Sequence, residues 1–118
     1  MPRNPALRLR PRLRVLRGEE ILLGPGKADL LGAIDRTGNL KRAAASLGMS
    51  YMRAWKLVQV MNRAFREPLI ETARGGSRRG SARLTATGKR ALGLYQRMER
   101  QSLSASRAAF ARLVRLIL

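Results

Sequence analysis

The sequence predicts a mainly α fold with a small β component (α+β): a helix-turn-helix preceded by an N-terminal β-hairpin and followed by a basic β-hairpin and a long C-terminal helix. Three observations predict it. Between residues 26 and 65, apolar residues recur at helical spacing, and the pattern is broken twice by a glycine with a capping residue just after it. A glycine- and serine-dense stretch, G-G-S-R-R-G-S, separates two short strand-like segments. The last thirty or so residues carry large apolar side chains at steps of mostly three or four.

Taken in order, residues 1–6 form a flexible tail, residues 7–84 the folded domain and residues 85–118 a C-terminal helix. From Leu7 to Val15 leucine and valine alternate with Arg8, Arg10, Arg12 and Arg14, a period of two that predicts a strand with one basic face. Pro11 lacks a backbone donor and suits an edge or a bulge. Arg17 to Glu20 can turn the chain, and residues 21–23 return as the partner strand. Leu30, Leu31 and Ile34 define a first helix over about 26–37, ended by Thr37 and Gly38. Asn39 caps a second helix, Leu40 to Leu47, which Gly48 stops. Ser50 caps a third, from Tyr51 to about Phe65. Leu69 to Arg74 and Ala82 to Leu84 pair around the basic tip. Thr85 caps the last helix.

Charge narrows the function. The 118 residues hold 25 Lys+Arg against 7 Asp+Glu, a formal net charge of +18, so a polyanion is the expected partner. With 45% hydrophobic residues the chain can still build a core. It has neither cysteine nor histidine, which removes disulfides, the commonest zinc ligands and the usual general base. The acids are dispersed except for Glu19 and Glu20, which sit in a turn. No catalytic residue, metal ligand or cofactor is nominated, and a non-enzyme is expected. No run reaches the length of about 18 apolar residues needed for a membrane span. A cytoplasmic, nucleoid-associated protein without membrane contact is the default.

The segment A-A-A-S-L-G-M-S-Y-M-R-A-W-K-L-V (43–58) carries the sharpest local signal. Ala43, Ala44 and Leu47 allow a close helix crossing, Gly48 takes the turn, and Ala54, Leu57, Val58, Met61 and Phe65 return at core spacing on the next helix. The opposite face holds Met52, Arg53, Lys56, Gln59 and Arg63, where a DNA major groove would meet them. With Ser50 and Tyr51 at the start of the helix, these are the candidate recognition residues. The N-terminal turn of such a helix usually carries the base contacts, so Tyr51, Met52, Arg53 and Lys56 are the best candidates, and arginine can grip guanine O6 and N7 with two hydrogen bonds. Arg74, Arg78, Arg79 and Arg83 in the glycine-rich hairpin can neutralise phosphates or enter a minor groove. Its glycines lack the Gly-Lys-Ser/Thr ending of a nucleotide-binding loop.

These pieces resemble a known family. G-N-L-K-R-A-A-A-S-L-G-M-S-Y-M-R-A-W, M-N-R-A-F-R-E-P-L-I-E-T-A-R-G-G and A-R-L-T-A-T-G-K-R are similar to the N-terminal DNA-binding domain of ModE-type molybdate-responsive repressors. That domain is itself like the winged helix of LysR-type regulators. The resemblance spans about residues 7–100. It implies a winged helix-turn-helix, a dimer through the flanking helices and a palindromic operator. It also implies that Ser50, Tyr51, Arg53 and Lys56 start the recognition helix, that Arg74 to Arg83 form the wing, and that Trp55 mainly packs. The full-length repressors bind molybdate in a separate C-terminal region, so molybdate is not expected as a ligand of this chain, which is expected to lack that sensing domain.

A dimer is also expected from the residues alone. Leu92, Tyr95, Leu103, Phe110, Leu113 and Ile117 make a stripe with more apolar surface than a domain of this size can cover. A twofold pairing would set two recognition helices about 34 Å apart, one turn of DNA. The competing readings fold the last segment back onto its own domain or lay it on a membrane surface. The alternative function is a nonspecific nucleoid-associated or RNA-binding basic protein, which a 4% aromatic content disfavours for single strands.

Overall fold

The structure is a computed structural model that describes residues 6–73 and 80–118. It begins with a hairpin of β1 (Val15–Arg17) and β2 (Glu20–Leu23), antiparallel, with Arg17 opposite Glu20, Leu16 opposite Ile21 and a register shift beside Val15. The strand expected from Leu7 does not form before Val15, and residues 6–14 carry no regular structure. A strand needs a ladder partner, and β2 is only four residues long. The period-two pattern also finds only one socket. Leu13 packs on the core while Leu7 and Leu9 stay exposed.

Three helices follow. α1 (Pro25–Thr37) starts with proline at its first turn, where the missing N–H costs nothing, and ends at Gly38, whose N–H donates to Ile34 O at 2.8 Å. α2 (Leu40–Ser46) is capped by the Asn39 carboxamide oxygen, which accepts from Arg42 N at 2.9 Å. α3 (Tyr51–Ala64) is capped by Ser50 Oγ, which accepts from Arg53 N at 3.1 Å. Each cap contributes about 1 kcal/mol. One face of each helix enters a single core, with Leu30, Leu31 and Ile34 from α1, Ala43 and Ala44 from α2, and Ala54, Val58 and Met61 from α3.

A second antiparallel hairpin, β3 (Ile70–Thr72) and β4 (Ala82–Leu84), pairs Ile70 with Leu84, Glu71 with Arg83 and Thr72 with Ala82. It is stitched to the corner between α1 and α2: Leu40 N donates to Gly80 O at 3.0 Å, and Ala82 N to Gly38 O at 3.1 Å. The tip arginines Arg74, Arg78 and Arg79 lie outside the described residues.

α4 (Ala86–Val114) closes the molecule. At 29 residues it is roughly 43 Å long, which accounts for much of the 57 Å longest extent. Thr85 Oγ1 caps it by accepting from Gly88 N at 3.0 Å and also donates to Pro68 O at 2.7 Å. Gly88 then passes so close to the chain that a β-carbon there would lie 2.1 Å from Leu69 O. Leu69 is fully buried and its carbonyl accepts from Thr85 N, so the backbone cannot yield. Gly88→Ala is therefore expected to destabilise the domain by about 2 kcal/mol or more, as overpacking does. Gly93→Ala, five residues along the same helix with nothing within 4 Å, is expected to stabilise it by about 0.5–1 kcal/mol. Urea unfolding of the two variants checks both signs.

Candidate nucleic-acid interface

The turn between α2 and α3 depends on Gly48, which sits at φ 67°, a left-handed conformation that glycine adopts without a side-chain penalty. Met49 N then donates back to Ala44 O at 3.0 Å and closes the end of α2. Ala43 and Ala44 are buried against the neighbouring helices, where larger side chains would hold α2 and α3 apart. The second helix consequently presents a defined outer face. Ser50, Tyr51, Met52, Arg53, Lys56 and Arg63 are exposed there and Gln59 is half-exposed, while Ala54, Val58 and Met61 point inward with Leu57 and Phe65 packed at the core's edge.

Trp55 departs from the expected packing role. It is 41% exposed on that outer face, beside Lys56. The reason is geometric: Ala54 and Val58 already take the inward positions of this turn, and the intervening residue is carried round toward solvent.

The wing is held to α3 by a residue that the sequence pattern did not single out. The Asn62 carboxamide oxygen accepts from Leu69 N at 2.8 Å and Ile70 N at 3.1 Å, and its nitrogen donates to Ile70 O at 3.0 Å. An asparagine in the last turn of a helix, ahead of a proline-led extended segment, is the available signal. Of the wing arginines, Arg83 is described. Its guanidinium pairs with Glu71 at 2.9 Å across the hairpin, so one of the expected phosphate contacts already has an intramolecular partner. The pair is exposed on both sides and is a weak one that a phosphate can displace. It is the sole ion pair among the described residues. Among these residues no group of three or more acidic side chains converges as a metal site.

A small-residue crossing, a glycine turn, a capped basic helix and a hairpin bonded to it constitute a helix-turn-helix with a wing. The family model of the bacterial regulatory helix-turn-helix protein, lysR family, matches residues 28–89. This chain belongs to the LysR family. Its fold agrees: the crystal structure of the CbnR_DBD-DNA complex superposes with a TM-score of 0.58 at 23% identity, covering 74% of this chain and 95% of that one. The expected similarity to ModE-type domains is borne out as well. The molybdenum-pterin-binding protein MopB of Rhodobacter capsulatus is 39% identical over 77 residues, 65% of this chain and 28% of that protein. The molybdenum transport protein ModE of Azotobacter vinelandii is 38% identical over 76 residues, 64% of this chain and 28% of that protein. The chain thus spans little more than a quarter of the length of these relatives.

In this LysR-family chain the apolar stripe of α4 divides in two. Leu92 and Tyr95, expected at a dimer interface, are buried in the chain's own core, because the first turns of α4 lie against α1 and the N-terminal segment. Leu103 and Leu113 remain exposed, Phe110 is half-buried, and Ile117 is exposed just beyond the end of the helix. Tyr95 has a further role. Its hydroxyl donates to Leu13 O at 2.7 Å and anchors the N-terminal segment to the helix.

Burial raises the Tyr95 pKa above its ordinary value, the Glu99 and Asp29 carboxylates add to the rise, and Arg12 and Arg14 oppose it. A raised pKa means that the folded state favours the protonated phenol. The associated stability is complete below the unfolded pKa of 10.0 and is lost as pH climbs through the higher folded value. Tyr95→Phe is expected to cost about 1 kcal/mol at neutral pH, since Leu13 O loses its donor. It should also remove part of the alkaline loss of stability, read as a shallower wild-type-minus-variant difference in thermal unfolding above pH 10.

Proposed function

We propose that this chain acts as a sequence-specific, double-stranded DNA-binding transcriptional regulator that works as a homodimer on a palindromic operator in the cytoplasm, with a binding rather than a catalytic role. The observation that carries the reading is the outer face of α3, where Arg53, Lys56 and Arg63 stand exposed on a helix capped by Ser50 and bonded through Asn62 to a basic hairpin. A capped helix of this kind enters the major groove with its N-terminal turn against the base edges. The net charge of +18 supplies the sequence-independent attraction. Membership of a family of bacterial regulatory helix-turn-helix proteins supports the regulatory role.

The homodimer rests on the far half of α4. Leu103 and Leu113 are exposed on one side of a helix that projects from the domain, and a second copy offers the same stripe in return. Leu103→Asp and Leu113→Asp are each expected to convert a dimer to a monomer without loss of helix content, because neither side chain belongs to the core. Sedimentation equilibrium with circular dichroism checks this.

Selection of bound duplexes from a random pool is expected to return an inverted repeat with half-site centres about one helical turn, roughly 34 Å, apart. Recovery of no motif would leave a nonspecific polyanion binder in its place. On the selected duplex, Arg53→Ala should relax base preference by about 1–3 kcal/mol at one position of each half-site, while Arg78→Ala should weaken all sequences alike and lower the salt slope by about 1. Molybdenum in the relatives' names belongs to those longer proteins. Molybdate is expected to leave the duplex affinity of this chain unchanged, since among the described residues no polar or charged side chain is buried to cage an oxyanion.

A further inference from the structure

Trp55 is the only tryptophan in the chain, and it lies open on the reading face of α3 rather than in the core. Tyr51 and Met52 are exposed on the same N-terminal turn, at 47% and 57%. A basic helix that needed only to attract phosphates would gain nothing from these three side chains. Trp55, Lys56, Gln59, Val60 and Arg63 line an open groove of about 380 Å³ that combines two apolar side chains with two cationic ones. The two cations favour a polyanion over an apolar protein partner, and the two apolar side chains ask that the polyanion present a hydrocarbon group. Among the groups that a duplex displays in its major groove, the C5-methyl of thymine is that hydrocarbon. One helical turn from Trp55 stands Gln59, whose carboxamide matches the N6 and N7 edge of adenine. An A·T pair therefore offers both partners at once.

We infer that Trp55 is a base-reading residue, its indole packing on the C5-methyl of a thymine in each half-site while Gln59 addresses the paired or neighbouring adenine. The inference rests on α3 being the recognition helix. It makes the methyl group, and not only the hydrogen-bonding edges, part of what is read. The indole carries a donor and no acceptor, so its ring face is what meets the methyl while the N–H is left for a phosphate or carbonyl oxygen.

The test uses the full chain with the selected duplex, following binding by anisotropy of labelled DNA and the environment of Trp55 by its own fluorescence. Acrylamide quenching of the indole is expected to fall when the duplex binds. Replacing thymines one at a time by deoxyuridine removes the methyl and keeps the pairing. A replacement in one half-site should weaken wild-type binding about fourfold, the worth of one buried methyl-sized group, and a replacement in both half-sites about fifteenfold. Trp55→Ala should bind more weakly and be indifferent to that replacement, while Trp55→Phe, which keeps a ring, should retain part of the preference. Quenching that stays unchanged on a bound duplex, or a thymine-to-uracil penalty equal in wild type and Trp55→Ala, overturns the inference and leaves the regulator reading standing. Absence of any preferred duplex in the anisotropy assay overturns both.

Discussion

α3 and the base of the β3–β4 hairpin hold their relative positions through the three residues Pro68 to Ile70. Asn62 from α3 takes both N–H groups of Leu69 and Ile70 and returns a bond to Ile70 O. From the other side, Thr85 bonds the carbonyls of Pro68 and Leu69, and Gly88 brings α4 against the same backbone. A short extended segment is thereby gripped between two helices, with its polar groups satisfied by one carboxamide and one threonine. Leu69 and Ile70 are buried, so each unpaired group here would carry a desolvation cost of about 1–3 kcal/mol. Fixing this segment fixes the hairpin that grows from it, and the hairpin is fixed again at the corner of α1 and α2. The base of the hairpin is consequently held in a fixed position relative to α3.

Electrostatics plays almost no part in holding this fold together. The buried side chains are apolar, and no charged group is buried among the described residues. A surplus of 18 positive charges instead works against compactness, and a polyanion that neutralises some of it stabilises the folded state as it binds. Arg83 is the exception that shows the balance. Its pairing with Glu71 spans the two strands and quiets one cation at the base of the wing.

α4 has two different halves. Its first turns complete the core through Gly88, Leu92 and Tyr95, and the Tyr95 hydroxyl also retains the N-terminal segment. Its remaining turns continue the same helix beyond the core and leave Leu103 and Leu113 uncovered. In the homodimer proposed above, a second copy would cover these two leucines.

Caps and turns were legible from the sequence because they are local: Asn39, Ser50 and Thr85 bond backbone groups three residues away, and Gly48 needs only its own dihedral angle. The alternation of core and outer residues along α3 was legible for the same reason, since helical period alone determines it. Tertiary structure decided the rest. The arginine-leucine alternation of residues 7–14 has the period of a strand, yet among the described residues no strand lies beside it to accept the ladder. One apolar stripe on α4 was divided between this chain's core and solvent by where α1 and Leu13 come to rest. Trp55 was sent outward because Ala54 and Val58 had already filled the space beneath it. In the first two cases the outcome depended on residues distant in sequence competing for one position in space.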